Sequence, residues 1–274
     1  MRFILFFVPL FLLGCVHQTT SDVTWNQPLM DASLLYGKLS PNTQIFIQNE
    51  SKNNATTGLT EIPTHQGRFV VGVPQDAKKL TLKIKKDGQI QDVSFPIQKR
   101  KWQEDYVNGL SPKKVSPPES EQKRIQSEFK AMRDKRQISE YPNFPQKWHF
   151  PLAKYKRISS PFGSRRILNG QVTQGHSGTD YAADTGTPVL SANNGRVVLT
   201  HPDMFYSGAT ILIDHGYGVY TSYSHLSKID VKQGQVVQTG DKIGEVGMSG
   251  RATGPHLHFG LSWYGVRLNP EDLY

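Results

Sequence analysis

Cysteine is nearly absent from this chain of 274 residues: Cys15 is the only one. One thiol builds no disulfide framework, and it excludes a cysteine-based zinc cluster. Acidic side chains are outnumbered, 23 Asp and Glu against 32 Lys and Arg, for a net charge of +9. That surplus suits anionic surfaces in general, whether nucleic acid, acidic lipid or another acidic polymer. Wholesale disorder is excluded, because 36% apolar and 20% charged residues suffice for a packed core. With cysteine scarce, the nine histidines are the plentiful candidates for metal or acid-base chemistry.

The N-terminus has its own pattern. Residues 1–15 read MRFILFFVPLFLLGC, with Arg2 ahead of an apolar run of 11 residues, Phe3 to Leu13. A bilayer-spanning helix needs roughly 20, so the run reads as a secretory signal. Its end, Leu12-Leu13-Gly14-Cys15, resembles the bacterial lipoprotein signal, which implies cleavage before Cys15 and a lipid on that residue. The plain alternative is an ordinary signal peptide with an incidental cysteine. An exported protein meets no genome, which removes nucleic acid as a partner. Val16, where retained lipoproteins carry Asp, favours the outer over the inner membrane as the site of attachment.

Residues 16–28 are polar and read as a tether. Residues 29–98 show short strands separated by turns: Gln44–Gln48, Arg68–Val73 and Leu80–Ile84 are strand candidates, and Asp87-Gly88 is a hairpin turn. This pattern predicts a small β-sandwich. Between Lys78 and Lys101 lie eight Lys/Arg and two Asp. That stretch is either a solvated strand face with a basic linker or a patch for an anionic polymer or acidic partner. Residues 99–145 read as a linker with an amphipathic helix over about 117–138, N-capped by Ser116 with Pro117 at its first position and Glu119 three residues after the cap. Ile125, Phe129 and Met132 form its narrow apolar stripe.

Residues 146–274 are glycine-dense and rich in strand-like runs, with no helical period. The expected fold is therefore mainly β: a Gly-rich antiparallel β-sheet domain preceded by a small β-sandwich and a connecting amphipathic helix. Three short patterns stand out in it: His176-Ser177-Gly178-Thr179-Asp180, Tyr223-Ser224-His225-Leu226 and Gly254-Pro255-His256-Leu257-His258-Phe259-Gly260. None is rare alone; their combination carries the case. In a strand, His-Leu-His puts two imidazoles on one face. One can bind a metal while the other stands beside the same site. Gly175 and Gly178 argue that His176 and Asp180 wrap a cation from a loop or strand end rather than from a helix. Two imidazoles and one carboxylate leave a fourth position open, the pattern of a catalytic zinc site.

With these patterns, the domain resembles the lysostaphin-type (LytM-like) zinc metallopeptidases that cut peptide cross-links in bacterial peptidoglycan. The likeness runs over about residues 146–274 and includes Ser160-Pro161-Phe162-Gly163-Ser164-Arg165, His176 to Ala183, Gly186-Thr187-Pro188-Val189 and the two later histidine patterns. The resemblance implies one zinc ion per chain held by His176, Asp180 and His258, with His225 and His256 as active-site histidines whose individual roles stay open. Tyr223 is an auxiliary donor or wall packing; Arg165 braces the site or meets a substrate carboxylate. His201 and His215 fall outside the motifs and read as structural. The implied activity is hydrolysis of D-alanyl-diaminopimelate cross-links by a periplasm-facing lipoprotein acting on peptidoglycan stem peptides. The alternatives are a glycyl-glycine endopeptidase, a carboxypeptidase, or a non-catalytic activator of murein amidases. The long connector between two β units also suggests that the N-terminal module covers the groove. The oligomeric state is not legible.

Overall fold

A computed structural model describes residues 19–20, 22–25, 28–48 and 59–274. The signal segment 1–15, with Cys15, lies outside the described residues, as do 16–18, 21, 26 and 27 of the expected tether; the rest of that tether is no free linker, because Thr19–Thr20 and Val23–Trp25 are strands and Val23 and Trp25 are buried in the sandwich core. The protein is mainly β, and among the described residues no helix is long and apolar enough to cross a membrane.

The N-terminal part consists of two four-stranded sheets. One runs in the order Thr19–Thr20, Val23–Trp25, Leu34–Leu39, Arg68–Gly72; the other in the order Leu59–Glu61, Thr43–Gln48, Lys79–Lys86, Gln89–Pro96. Alternation builds the second sheet. Leu80, Leu82 and Ile84 point into the core while Lys79, Thr81, Lys83 and Lys85 point outward. Asp87 and Gly88 take φ of 50° and 81°, the positive values a two-residue hairpin turn requires. The basic stretch is in good part the outer face of this strand, and Lys83 and Lys86 pair with Asp92 and Asp22.

The helix expected over about 117–138 spans Glu119–Lys135, and its N-cap is Pro118, with no side-chain cap. The proposed Ser116 cap fails because the residue before a proline is pushed out of the helical region, so Pro117 cannot open a helix ahead of Pro118. The Ser116 hydroxyl faces Gln171 instead. Of the stripe, Ile125 is buried, Met132 is half-buried against the strand Gly195–Met204, and Phe129 is exposed.

The linker also holds a strand that its polar sequence concealed. Glu104–Val107 pairs in parallel with Arg165–Leu168, so the linker is stitched into the following domain. Trp102 packs on Phe162 beside it.

The large C-terminal sheet runs Arg157–Ser160, Thr179–Ala182, His256–Trp263, Val219–Ile229, Gly208–Asp214, Gly195–Met204, Val236–Val237, all antiparallel. Its core gathers Tyr181, Val197, Ile211, Ile213, Tyr223, Leu257 and Phe259. The sandwich docks on the far ends of two of these strands: Val219, Leu261 and Trp263 join Phe69, Val71 and Leu35 in one continuous core. The approach is close, since a Cβ on Gly72 would lie 2.7 Å from the Trp263 Cβ. The motif histidines sit at the opposite ends of those strands. The sandwich therefore does not cover the groove; the linker is what lies beside it.

Candidate metal centre and active site

Asp180 and His258 are cross-strand partners in the antiparallel pair Thr179–Ala182 and His256–Trp263, so both side chains emerge on one face. Leu257 between the two histidines is fully buried on the other. His176 enters from the preceding loop, its backbone N–H donating to Ser164 and its carbonyl accepting from Gly163. His176 Nε2, Asp180 Oδ1 and His258 Nδ1 converge, 3.0, 3.1 and 2.7 Å apart pairwise. Gly178 makes this possible, because a Cβ there would lie 2.9 Å from the His258 ring and 2.4 Å from the Phe259 carbonyl oxygen.

The group fits a metal ion. Ligand atoms at zinc bond lengths of about 2.0–2.1 Å stand roughly 3.3 Å apart at tetrahedral angles, so the 2.7–3.1 Å spacing here would need to open by only about half an ångström or less on average to seat the ion. The protonation pattern agrees. His176 Nδ1 lies 3.1 Å from the Pro161 carbonyl, which can only accept, so its proton sits there and Nε2 offers a lone pair. Burial alone would raise the Asp180 carboxyl, but the His176 and His258 rings beside it hold it well below the ordinary carboxylate range. Burial pushes His258 down to about 4 against the pull of Asp180. His176 Nε2, His258 Nδ1 and Asp180 Oδ1 thus aim at one point, where a single cation could accept a lone pair from each.

The two remaining motif histidines stand next to this group. His225 and His256 have ring centroids 4.7 Å apart, and His256 Nε2 lies 3.7 Å from Asp180 Oδ2. Each is fixed in the same sense. His225 Nδ1 donates to the Ser249 carbonyl at 2.7 Å and His256 Nδ1 to the Gly254 carbonyl at 2.8 Å. With its proton on Nδ1, each ring keeps Nε2 as an acceptor. Burial, together with His256 and His258, depresses His225 to about 3.

The register of strand Val219–Ile229 slips between Tyr223 and Leu226 against its neighbour Gly208–Asp214, and His225 has φ of 61°. This irregularity turns the His225 ring out of the strand's alternation. Tyr223 stays behind. It is fully buried, and its hydroxyl accepts from the Ala192 N–H, so it packs the wall and does not face the groove. Arg165 is likewise outside the site, exposed and paired with Glu104. Its neighbour Arg166 takes the bracing role, with one nitrogen 2.5 Å from Asp180 Oδ2 and 3.1 Å from Ser160 Oγ. His215 is buried between Asn194 and Thr221, away from the metal group.

Two further residues complete the surroundings. Ser160 Oγ donates to Asp105 Oδ2 at 2.5 Å and lies 3.0 Å from His176 Nδ1. Asp105 therefore reaches His176 through one hydroxyl, and it comes from the linker strand. Ser160 opens the Ser160–Arg165 run that is part of the family resemblance in the sequence; Asp105 has no local signal.

Residues 174–270 match the description of peptidase family M23. This segment is an M23 peptidase domain. All five motif residues lie inside it, while Asp105, Ser160 and Arg166 lie ahead of it. The chain is 45% identical over 124 residues to the peptidoglycan DD-endopeptidase ShyA of Vibrio cholerae, a match covering 44% of this chain and 28% of that protein. It is 43% identical over 119 residues to the DD-carboxypeptidase/endopeptidase Mpg of Neisseria meningitidis, covering 43% and 27%. The matched segment thus spans under a third of these curated relatives. A solved structure assigned to peptidase M23 from Pseudomonas aeruginosa superposes with a TM-score of 0.64 at 27% identity, over 89% of this chain and 94% of that one. The whole architecture around the M23 domain, sandwich and linker included, therefore has a counterpart.

Proposed function

We propose that the protein is a zinc-dependent endopeptidase that hydrolyses peptide cross-links of peptidoglycan, with one zinc ion per chain held by His176, Asp180 and His258. The observation that carries this reading is the convergence of those three ligand atoms beside two histidines whose Nε2 atoms are both open acceptors. A bound zinc ion would polarise the scissile carbonyl and acidify a water molecule. The chain supplies the rest. The Nε2 atoms of His225 and His256 are the acceptors placed beside the metal group, and a proton held at either Nε2 would make that ring an N–H donor for the leaving amine. Arg166 holds Asp180 in place while the carboxylate ligates.

The names of the relatives support a D,D-endopeptidase activity on peptidoglycan, and D-alanyl-diaminopimelate is the bond proposed for it. The dual name of the Neisseria relative favours a second reading, removal of terminal D-alanine. The intact constellation speaks against a pure amidase activator, since converging histidines and a carboxylate without a metal are poorly satisfied. Lipid attachment at Cys15 and outer-membrane anchoring, with the catalytic domain facing the periplasm, complete the proposal. Mass analysis of muropeptides after digestion of sacculi by wild type and by His176→Ala tests the activity. Cut dimers identify an endopeptidase and free D-alanine a carboxypeptidase; identical products from both proteins would remove the enzymatic reading. Labelling of wild type but not Cys15→Ala with a radioactive fatty acid tests the anchor.

A further inference from the structure

Where the linker meets the catalytic domain lies a cavity of about 450 Å³ whose two walls come from different parts of the chain. Phe205, Gly250, Arg251 and Ala252 form the catalytic-domain wall, and the linker supplies Lys113, Lys114, Glu121 and Arg124. The catalytic-domain wall is linked to the active site through the neighbours of its lining residues. The His225 N–H donates to the Ser207 carbonyl and its Nδ1 to the Ser249 carbonyl, so the loops that clamp His225 also line the cavity.

Charge in this cavity is unbalanced in a specific way. The acidic groups nearby are spent on Arg124: Glu128 at 2.8 Å, Asp203 at 3.1 Å and Glu121 at 3.9 Å. Arg251 forms no ion pair among the described residues. Its backbone N–H is locked to the Tyr206 carbonyl at 2.7 Å, its guanidinium lies 4.4 Å over the Tyr206 ring, and its only hydrogen bond from the fork is a long one, 3.4 Å, to the Lys114 carbonyl. Lys114 is held in turn by the Phe205 carbonyl and lies 3.9 Å over the Phe205 ring. A half-buried guanidinium, fixed by stacking and with most of its five donors unspent, costs free energy until an anion meets it. Its planar fork matches a carboxylate.

Resting on the peptidase reading above, we propose that this cavity is a substrate subsite in which Arg251, flanked by Lys114, binds a free carboxylate of the stem peptide on the His225 side of the scissile bond. The linker then acts as a wall of the substrate groove and as part of its selectivity, not as a cover. A peptide whose carboxylate is amidated offers no charge to the guanidinium and binds less well.

The test uses full-length zinc-loaded protein and two soluble cross-linked peptide dimers, one with its stem carboxylates free and one with them amidated. Wild type should show a KM roughly tenfold or more lower for the free form, about the value of one charge-assisted pair. In Arg251→Gln that ratio should fall to near one, with kcat on the free dimer within about twofold of wild type and an unchanged melting temperature. Lys114→Gln should lower the ratio partway. A wild-type ratio near one, or a ratio that survives in Arg251→Gln, overturns the subsite. Should wild type cleave neither dimer, the peptidase reading fails on its own. Calorimetric binding of the same two peptides to wild type and Arg251→Gln then decides the subsite, and equal affinity of wild type for both peptides overturns it.

Discussion

Asp105 and His176 are joined through a single hydroxyl: Ser160 Oγ donates to the Asp105 carboxylate and lies 3.0 Å from the His176 ring nitrogen that faces away from the metal group. The carboxylate comes from the linker and the ring from the M23 domain. Partners of this kind set the tautomer and basicity of a ligating histidine, and their loss typically weakens metal affinity by about 10–100-fold. Asp105→Asn and Ser160→Ala should each raise the zinc Kd by that order, read by competition with a coloured chelator. An unchanged Kd would leave the contact with a packing role only.

Removing a ligand is more severe. His176→Ala, Asp180→Ala and His258→Ala should each purify without stoichiometric zinc and leave sacculi undigested. His225→Ala and His256→Ala should retain zinc while losing activity. Metal content by atomic absorption beside a dye-release assay separates the two groups. Loss of zinc in His225→Ala would turn that residue from acid-base group to ligand.

Gly178→Ala tests the packing that lets the ligands meet. The added methyl would meet the Phe259 carbonyl oxygen at 2.4 Å and the His258 ring at 2.9 Å. Overpacking of this kind costs typically about 1–3 kcal/mol. We expect a lower midpoint in urea and a loss of zinc binding larger than the stability loss explains.

His215 gives the fold an acid sensitivity independent of the metal. Its buried ring lies between Asn194 and Thr221, and burial lowers its pKa from 6.5 to about 4. Below 6.5 the unfolded chain takes up a proton that the folded chain refuses until about pH 4, so stability falls as pH drops through that window. The loss is of order 3 kcal/mol. Urea midpoints at pH 7, 5.5 and 4 should show a shallower decline in His215→Gln than in wild type. Parallel curves would remove His215 as the cause.

A fragment beginning at residue 146 should be weaker than the full chain, not freer. It exposes Val219, Leu261, Trp263 and Leu268, which share a core with the sandwich, and each such side chain contributes about 1.5–3 kcal/mol when buried. It also loses Asp105 and the linker wall of the cavity. Digestion of sacculi and thermal melting of both proteins check this. A fragment that digests faster would restore an inhibitory N-terminal module.

What was legible in the sequence follows from how local each signal is. His256 and His258 share a face because strands alternate, and Asp87-Gly88 turns because the hairpin needs positive φ at both positions. Arg165 and Arg166 show the limit. Adjacent strand residues face opposite ways, and only the tertiary register decides that Arg166 points to Asp180 and Arg165 to Glu104. Tyr223 was placed beside His225 by the same alternation, which the slip in the strand undoes. Asp105 was invisible for another reason: four polar-leaning residues, Glu104 to Val107, have no period, and their strand exists only through a partner some 60 positions away.

The rings of His176 and His258 that meet at the candidate metal group are separated by 82 positions, and Asp105 stands further back still. No short stretch of this polypeptide can grip a cation by itself, so affinity for one emerges only when distant parts of the chain have closed upon each other. Metal uptake at this group would in that sense be a proofreading signal: an ion could be captured there only after strands Thr179–Ala182 and His256–Trp263 have paired.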